Sequence, residues 1–451
     1  MESTVSKTAR DWQAAIVEGS STSERLVQDC LSIIDQSEPS VNAWVSLNRE
    51  YALEQAVDRD EQRKSGRAVG ALQGIPFGIK DSIDTKDLPT QRGSSIYANR
   101  HADADAAIVE KLKEAGAVVM GKTVTTELAW MHPGKTLNPH NLEHSPGGSS
   151  SGSAAAVAAG HVPLAIGSQT GGSVIRPASY CGVYGFKPSS GILSRRGVLQ
   201  SSQTLDQLGL FARDLGDIAL ACDALKGFDA NDSESYVGPK PALVEGYLED
   251  APLPPNLAWI DMPYASRFSQ NTHDGFSELN EVITELSPGC VERIEAPQSF
   301  AALVGCHQVI QDFEMARSLS GEWEHHRQQL SETTQSKLLD AFKVTEDEYQ
   351  EAMGIRVAAM DWFKTFFHDY DAILTPSAID IAPPVSDAHT GDPICCVVWT
   401  LCGLPCLSLP LLSGEKDLPM GVQLVGSYQY DHRLLRTARW LIELLHQNEN
   451  S

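Results

Sequence analysis

The sequence predicts an α/β fold, a single large domain spanning 1–451 whose core is interrupted by a mainly helical insertion, and three observations carry that prediction. From about residue 70 onward, stretches of helical spacing alternate with short apolar runs broken by Gly and Pro. Residues 226–368 change texture, becoming acidic, amphipathic and rich in Glu, Gln and His. The final 60 or so residues return to short apolar runs. The core is therefore assigned to 70–225 and 369–451, and 226–368 to an insertion shaping a substrate pocket. A chain of 451 residues buries enough surface to fold without disulfides.

Taken in order, residues 5–65 read as helices. Leu26, Val27, Cys30, Leu31 and Ile34 recur at helical spacing behind Ser21-Thr22-Ser23-Glu24, which resembles a capping box. Ile75-Pro76-Phe77-Gly78-Ile79-Lys80 reads as a strand ending at Asp81. Ile108, Val109, Leu112 and Ala115 mark one face of a helix stopped at Gly116, and Ala117-Val118-Val119-Met120 follows as a buried strand. Residues 147–200 are rich in Gly and Ser, yet they are no linker, because apolar order is kept. Ala154-Ala155-Ala156-Val157-Ala158-Ala159 reads as a compact helix and Val162-Pro163-Leu164-Ala165-Ile166 as a strand. Beyond the insertion, Tyr370-Asp371-Ala372-Ile373-Leu374-Thr375-Pro376-Ser377 reads as a strand running into a loop. Two further strands, at 406–410 and 421–426, precede a closing helix at 434–445.

Composition narrows the function. Fifty-nine acidic residues against 35 basic ones give a formal net charge of −24, which repels phosphate backbones and anionic lipid, so neither nucleic acid nor a membrane surface is expected as a partner. No basic segment followed by an apolar one opens the sequence, and no run is long enough to span a bilayer. The 9 cysteines, an odd number in a long chain, suit free thiols, and a cytoplasmic location is expected. Four of them, Cys395, Cys396, Cys402 and Cys406, cluster among apolar neighbours without a CxxC pair and are read as buried thiols rather than a metal site.

The chemistry concentrates in two Gly-Gly-Ser turns. Ser149 lies in Pro146-Gly147-Gly148-Ser149-Ser150-Ser151-Gly152, and Ser173, 24 positions later, lies in Gln169-Thr170-Gly171-Gly172-Ser173-Val174-Ile175-Arg176-Pro177. Glycine lets another group approach bare backbone N–H groups, which suits an oxyanion site beside a serine nucleophile. A serine needs a base. None of the 13 histidines sits in a setting that commends it. Gly148-Ser149-Ser150-Ser151-Gly152 matches the G-x-S-x-G elbow with Ser150 as nucleophile, but no apolar strand precedes it. His140-Asn141-Leu142-Glu143-His144 matches H-x-x-E-H, but Pro139 and Pro146 bracket it too closely for a helix. No G-x-x-x-x-G-K-[ST] phosphate loop occurs. A lysine with a lowered pKa serves instead of histidine, and Lys80, Lys122 and Lys187 are equal candidates on residue pattern alone.

Gly-Gly-Ser-Ser-Ser-Gly-Ser, the gap, Gly-Gly-Ser-x-x-Arg-Pro-Ala and Cys-Gly-x-x-Gly-Phe-Lys-Pro together resemble the signature of the amidase signature family. Leu72-Gln73-Gly74-Ile75-Pro76-Phe77-Gly78-Ile79-Lys80-Asp81 resembles that family's lysine strand, and Leu418-Pro419-Met420-Gly421-Val422-Gln423 its C-terminal strand. The resemblance implies a mixed central β-sheet covered by helices on both faces. It also implies a Ser–cisSer–Lys triad, carried onto Ser173, cis-Ser149 and Lys80, with the N–H groups of Thr170, Gly171, Gly172 and Ser173 as oxyanion hole and neither metal nor organic cofactor. Lys122 and Lys187 then become structural. Many members carry Asp where Gln169 stands and Arg where Ile175 stands; the arginine here is Arg176, as in the malonamidase-like branch. Arg176 is accordingly expected either to pair with a substrate carboxylate or polar end, or to brace the nucleophile turn. Trp130 and Met131 are read as acyl-pocket lining or as core residues. The leading expectation is an amidohydrolase for a small-molecule amide, acting alone or as a homodimer, with carbamates and urea derivatives as other substrates of the same triad. The amidase subunit of a tRNA-dependent amidotransferase is the alternative, and a catalytically silent scaffold ranks last.

Overall fold

The computed structural model describes residues 7–449 and shows one α/β domain built on an 11-stranded mixed sheet. The strands are β1 (Trp44–Leu47), β2 (Pro76–Lys80), β3 (Val118–Thr123), β4 (Leu164–Gln169), β5 (Tyr184–Lys187), β6 (Gln207–Ala212), β7 (Leu257–Asp261), β8 (Val291–Glu295), β9 (Ala372–Pro376), β10 (Cys406–Ser413) and β11 (Pro419–Val425). Their order across the sheet is β1-β3-β2-β4-β6-β5-β10-β11-β9-β7-β8. β2 runs parallel to both β3 and β4, and β7 is parallel to both β8 and β9, whereas the pairs between β4 and β9 are antiparallel. Every residue of β2, β3 and β6 is buried, which explains why β2 and β3 read as apolar runs rather than as an alternating pattern.

The largest apolar cluster joins residues from β2, β3, β4 and β6 to the helices Ser23–Val41, Ala107–Glu114, Ser151–Ala158 and Leu215–Leu225. A second cluster packs the helices Leu303–Ser318 and Glu346–Phe366 against the helix Ile394–Leu401. All nine cysteines are buried and unpaired; Cys395 and Cys396 lie on that last helix, where burial raises both thiol pKa values.

Several local expectations need correction. The helix Ser23–Val41 is capped by Thr22, whose side chain accepts from Arg25 N, so the start lies one residue later than a box built on Ser21 requires. The reciprocal boxes occur elsewhere, at Thr8 with Asp11 and at Thr345 with Glu348. Five strands had no counterpart in the sequence reading: β1 within 5–65, β5 and β6 within 184–212, and β7 and β8 within 226–368. β1 is only four residues long, and β8 keeps a charged, largely exposed Val-Glu-Arg-Ile-Glu pattern at the sheet edge. The segment 226–368 therefore extends the sheet as well as supplying helices. Among the described residues, no helix is long and apolar enough to cross a membrane.

Candidate active site

Because β2 and β4 are parallel neighbours, their carboxyl ends open at the same edge of the sheet. Lys80 is the last residue of β2 and Gln169 the last of β4, so the chain leaving β4 carries Thr170, Gly171, Gly172 and Ser173 past the lysine. Ser149 arrives on the loop ahead of the helix Ser151–Ala158, and the Gly148–Ser149 peptide is cis. Gly147 has φ 80°, and a Cβ there would lie 2.9 Å from Pro177 Cα, so only glycine lets this loop lie against the next helix.

Lys80 is fully buried, and its Nζ lies 2.7 Å from Ser149 Oγ and 2.9 Å from Ser168 Oγ. Burial lowers its pKa to about 7, against the opposing pull of the Asp206 carboxylate. Asp206 is itself buried, which raises its pKa, and it accepts from Thr170 Oγ1 (2.5 Å) and from the N–H groups of Ser201 and Ser202 (2.7 and 2.9 Å).

The nucleophile loop is held from several sides. Gln169 Oε1 accepts from Val174 N (2.8 Å) and Ile175 N (3.0 Å), while its Nε2 donates to Thr400 Oγ1 (3.0 Å). The same Thr400 hydroxyl donates to Gly171 O at 2.8 Å. An amide does what a carboxylate there does not, accepting from the loop and donating to Thr400. His307 Nε2–H donates to Thr170 O at 2.8 Å, and burial lowers its pKa to about 4.

Arg176 is placed for both parts considered from sequence. One Nη2 donates to Gly148 O (2.7 Å) and Thr390 Oγ1 (3.3 Å), bracing the two serine loops against each other. Its Nε and Nη1 are buried without a hydrogen-bond partner among the described residues, and Arg176 lines the same small cavity as Ser173. That cavity, about 60 Å³, is lined also by Trp130, Met131, His307, Gln308, Gln311, Pro393 and Val397. Trp130 and Met131 follow a turn in which Leu128 (φ 48°) and Ala129 (φ 59°) are both left-handed, an arrangement costly for non-glycine residues. The Glu127 carboxylate fixes that turn by accepting from Ser331 N (3.1 Å) and Thr334 Oγ1 (2.6 Å), at the start of the helix Glu332–Ala341.

The competing candidates are occupied elsewhere. Lys122 donates to Thr90 Oγ1 (2.7 Å) and lies 3.8 Å from Asp81, and Lys187 donates to Gln207 Oε1 (2.5 Å) and Leu404 O (2.6 Å). Ser150 Oγ is tied to the backbone of Ser168, donating to its carbonyl at 3.2 Å and accepting from its N–H at 3.3 Å. His140 sits 3.0 Å from Cys181 O in a turn, and no cluster of three or more metal-ligating side chains occurs among the described residues. His161, 2.7 Å from Ser37 Oγ and near Glu38, imitates a triad. Its Nδ1, however, accepts from Trp44 Nε1 (3.1 Å), so Nε2 carries the proton and has no lone pair for Ser37. Sequence reasoning missed Ser168, Asp206, His307, Gln308, Gln311 and Thr400. Only Thr400, a polar residue in an otherwise apolar segment, left a signal.

The amidase family profile matches residues 25–435, and the chain belongs to the amidase signature family. The A subunit of glutamyl-tRNA(Gln) amidotransferase from Alkaliphilus metalliredigens (strain QYMF) is 31% identical over 96% of this chain and 95% of its own length. A solved structure from a vestigial protein complex, described as revealing the evolutionary origins of an s-triazine catabolic enzyme, superposes with a TM-score of 0.90 at 26% identity, covering 97% of this chain and 98% of that one. The A subunit of glutamyl-tRNA(Gln) amidotransferase from Thermotoga maritima superposes with a TM-score of 0.77 at 30% identity, covering 92% of this chain and 90% of that one.

Proposed function

We propose that the protein is an amidohydrolase that cleaves the C–N bond of a small amide through an acyl-enzyme on Ser173. The observation that carries this reading is the buried Lys80, its pKa lowered to about 7 and its Nζ 2.7 Å from Ser149 Oγ. Ser173 Oγ attacks the carbonyl carbon, its proton passes to Ser149 Oγ, and the Ser149 proton passes to neutral Lys80 Nζ. The N–H groups of Thr170, Gly171, Gly172 and Ser173 receive the oxyanion. The relay then runs backward, delivering a proton to the leaving nitrogen as the C–N bond breaks. Water attacks the resulting ester with the same relay as base, releasing a carboxylic acid and restoring Ser173.

The unpaired Nε and Nη1 of Arg176 suit a carboxylate or another acceptor on the acyl half of the substrate, with Trp130 and Met131 as apolar walls. The segment 226–368 acts as the pocket-shaping insertion, since His307, Gln308 and Gln311 come from it. The cytoplasm suits nine unpaired thiols. The second reading, the amidase subunit of a tRNA-dependent amidotransferase, is favoured by similarity to such subunits, at 31% and 30% identity, over nearly the full length of the chain. Both readings use one triad and differ in partners; carbamates and urea derivatives are substrates the triad also accommodates.

The test is ammonia or amine release by the purified single chain from small amides with and without a terminal carboxylate, with Ser173→Ala as control. Turnover by the chain alone, lost in the control, supports the free-standing enzyme. Turnover that appears only when partner subunits are added supports the amidotransferase. Failure of Ser173 to react with a fluorophosphonate overturns both.

A further inference from the structure

On the helix Leu303–Ser318, four polar side chains are buried among the residues facing the core: His307, Gln311, Asp312 and Glu314. Three of them are satisfied. His307 donates to Thr170 O, Asp312 accepts from Gln308 Nε2 (2.7 Å) and pairs with Lys337, and Glu314 accepts from Thr204 Oγ1 (2.6 Å) and Tyr349 Oη (2.9 Å). Gln311 is the exception. It is 5% exposed, its carboxamide makes no hydrogen bond to any described residue, and it lines the cavity that holds Ser173 and Arg176. The side chain is buried but its carboxamide is not among the fully enclosed unpaired groups, so it opens to the cavity, where a ligand can pair it.

We infer that Gln311 is a specificity-determining residue that hydrogen-bonds a second polar group on the acyl half of the substrate, so that the enzyme takes short polar-substituted amides and discriminates against purely aliphatic ones. The chemistry follows from what the cavity offers. Arg176 supplies only donors and satisfies an anion, whereas the Gln311 carboxamide both donates and accepts, which suits a hydroxyl, an amide or a further carboxyl oxygen. Trp130, Met131, Pro393 and Val397 give the cavity its apolar surface, and an aliphatic group placed against Gln311 leaves the carboxamide desolvated and unpaired. A site that pairs a substrate hydroxyl rejects the analogue lacking it far more strongly than an apolar pocket separates substrates by a methylene. A cavity of about 60 Å³ holds an acyl half of only a few heavy atoms, so the reading group lies close to the scissile carbonyl.

This inference rests on the proposed use of the cavity as the acyl site, and a binding experiment separates the two. The probes are propionate and 3-hydroxypropionate, carboxylic acids differing by one hydroxyl, titrated calorimetrically into the full chain and into Gln311→Met, which keeps the length of the side chain. The expected result is that the wild type binds 3-hydroxypropionate about tenfold more tightly than propionate, and that Gln311→Met brings the two within about twofold. Equal affinities in the wild type, or an unchanged ratio in Gln311→Met, overturn the inference. Fluorophosphonate labelling of Ser173 in the same variant reports the triad independently. Normal labelling with an unchanged ratio removes Gln311 and leaves the hydrolase standing. Absent labelling in the wild type with a collapsed ratio removes the hydrolase and leaves Gln311 as a binding residue.

Discussion

Lys80 shows how one residue type acquires its chemistry from its surroundings. An exposed lysine is a cation near neutrality and takes no proton, but burial brings its pKa to about 7. The sign is fixed by the neutral form being the active one, so kcat/KM rises with pH through about 7 and levels off above it. A rate profile between pH 5.5 and 9 checks this, and a flat profile removes Lys80 as base. His307 contributes no limb near its ordinary value, since burial holds it neutral down to about 4. Lys80→Arg abolishes turnover, because guanidinium does not release its proton in this range. Lys80, Ser149 and Ser173 were legible in the sequence through their motifs, although residue pattern alone left Lys122 and Lys187 equal to Lys80. The family resemblance broke that tie, and in the structure Lys80 reaches Ser149 while Lys122 reaches Thr90 and Lys187 reaches Gln207.

At the scale of elements, the site is assembled by contacts between segments far apart in sequence. The helix Ile394–Leu401 reaches the nucleophile loop through Thr400, which donates to Gly171 O and accepts from Gln169. Thr400→Val keeps the shape and removes both bonds; kcat is expected to fall about tenfold with KM little changed, because the loop loses its set without losing its lining. Steady-state kinetics on a single amide decides it. Glu127 joins the turn carrying Trp130 and Met131 to the helix Glu332–Ala341. Glu127→Ala removes the anchor and leaves Ser331 N and Thr334 Oγ1 without that acceptor, and is expected to cost about 1–2 kcal/mol of stability and to raise KM more than it lowers kcat. Denaturant unfolding together with kinetics tests it, and an unchanged KM separates the turn from the pocket. Neither contact was readable beforehand, since Glu127–Thr334 and Gly171–Thr400 span more than the reach of any local pattern.

At the scale of the whole molecule, a continuous sheet runs from β1 to β8, and the apolar clusters join N-terminal, central and C-terminal segments across it. The formal charge of −24 surrounds this body with a field of one sign. The single chain is therefore expected to leave tRNA unbound at moderate salt, with migration of labelled tRNA unchanged in a native gel; retention lost as salt rises shows a basic surface within the acidic whole. The sequence by itself determined the α/β class, the positions of β2, β3, β4, β9, β10 and β11 to within a few residues, and the two Gly-Gly-Ser turns. Each of these is written in local apolar periodicity, or in glycines that turns require. Tertiary structure alone decided the strand order, the membership of β1, β5, β6, β7 and β8 in the sheet, the burial that lowers the Lys80 pKa, and the wall of His307, Gln308 and Gln311 that closes the cavity. Those depend on which segments meet in space and on how far burial shifts a charge, and neither is carried by the order of residues along the chain.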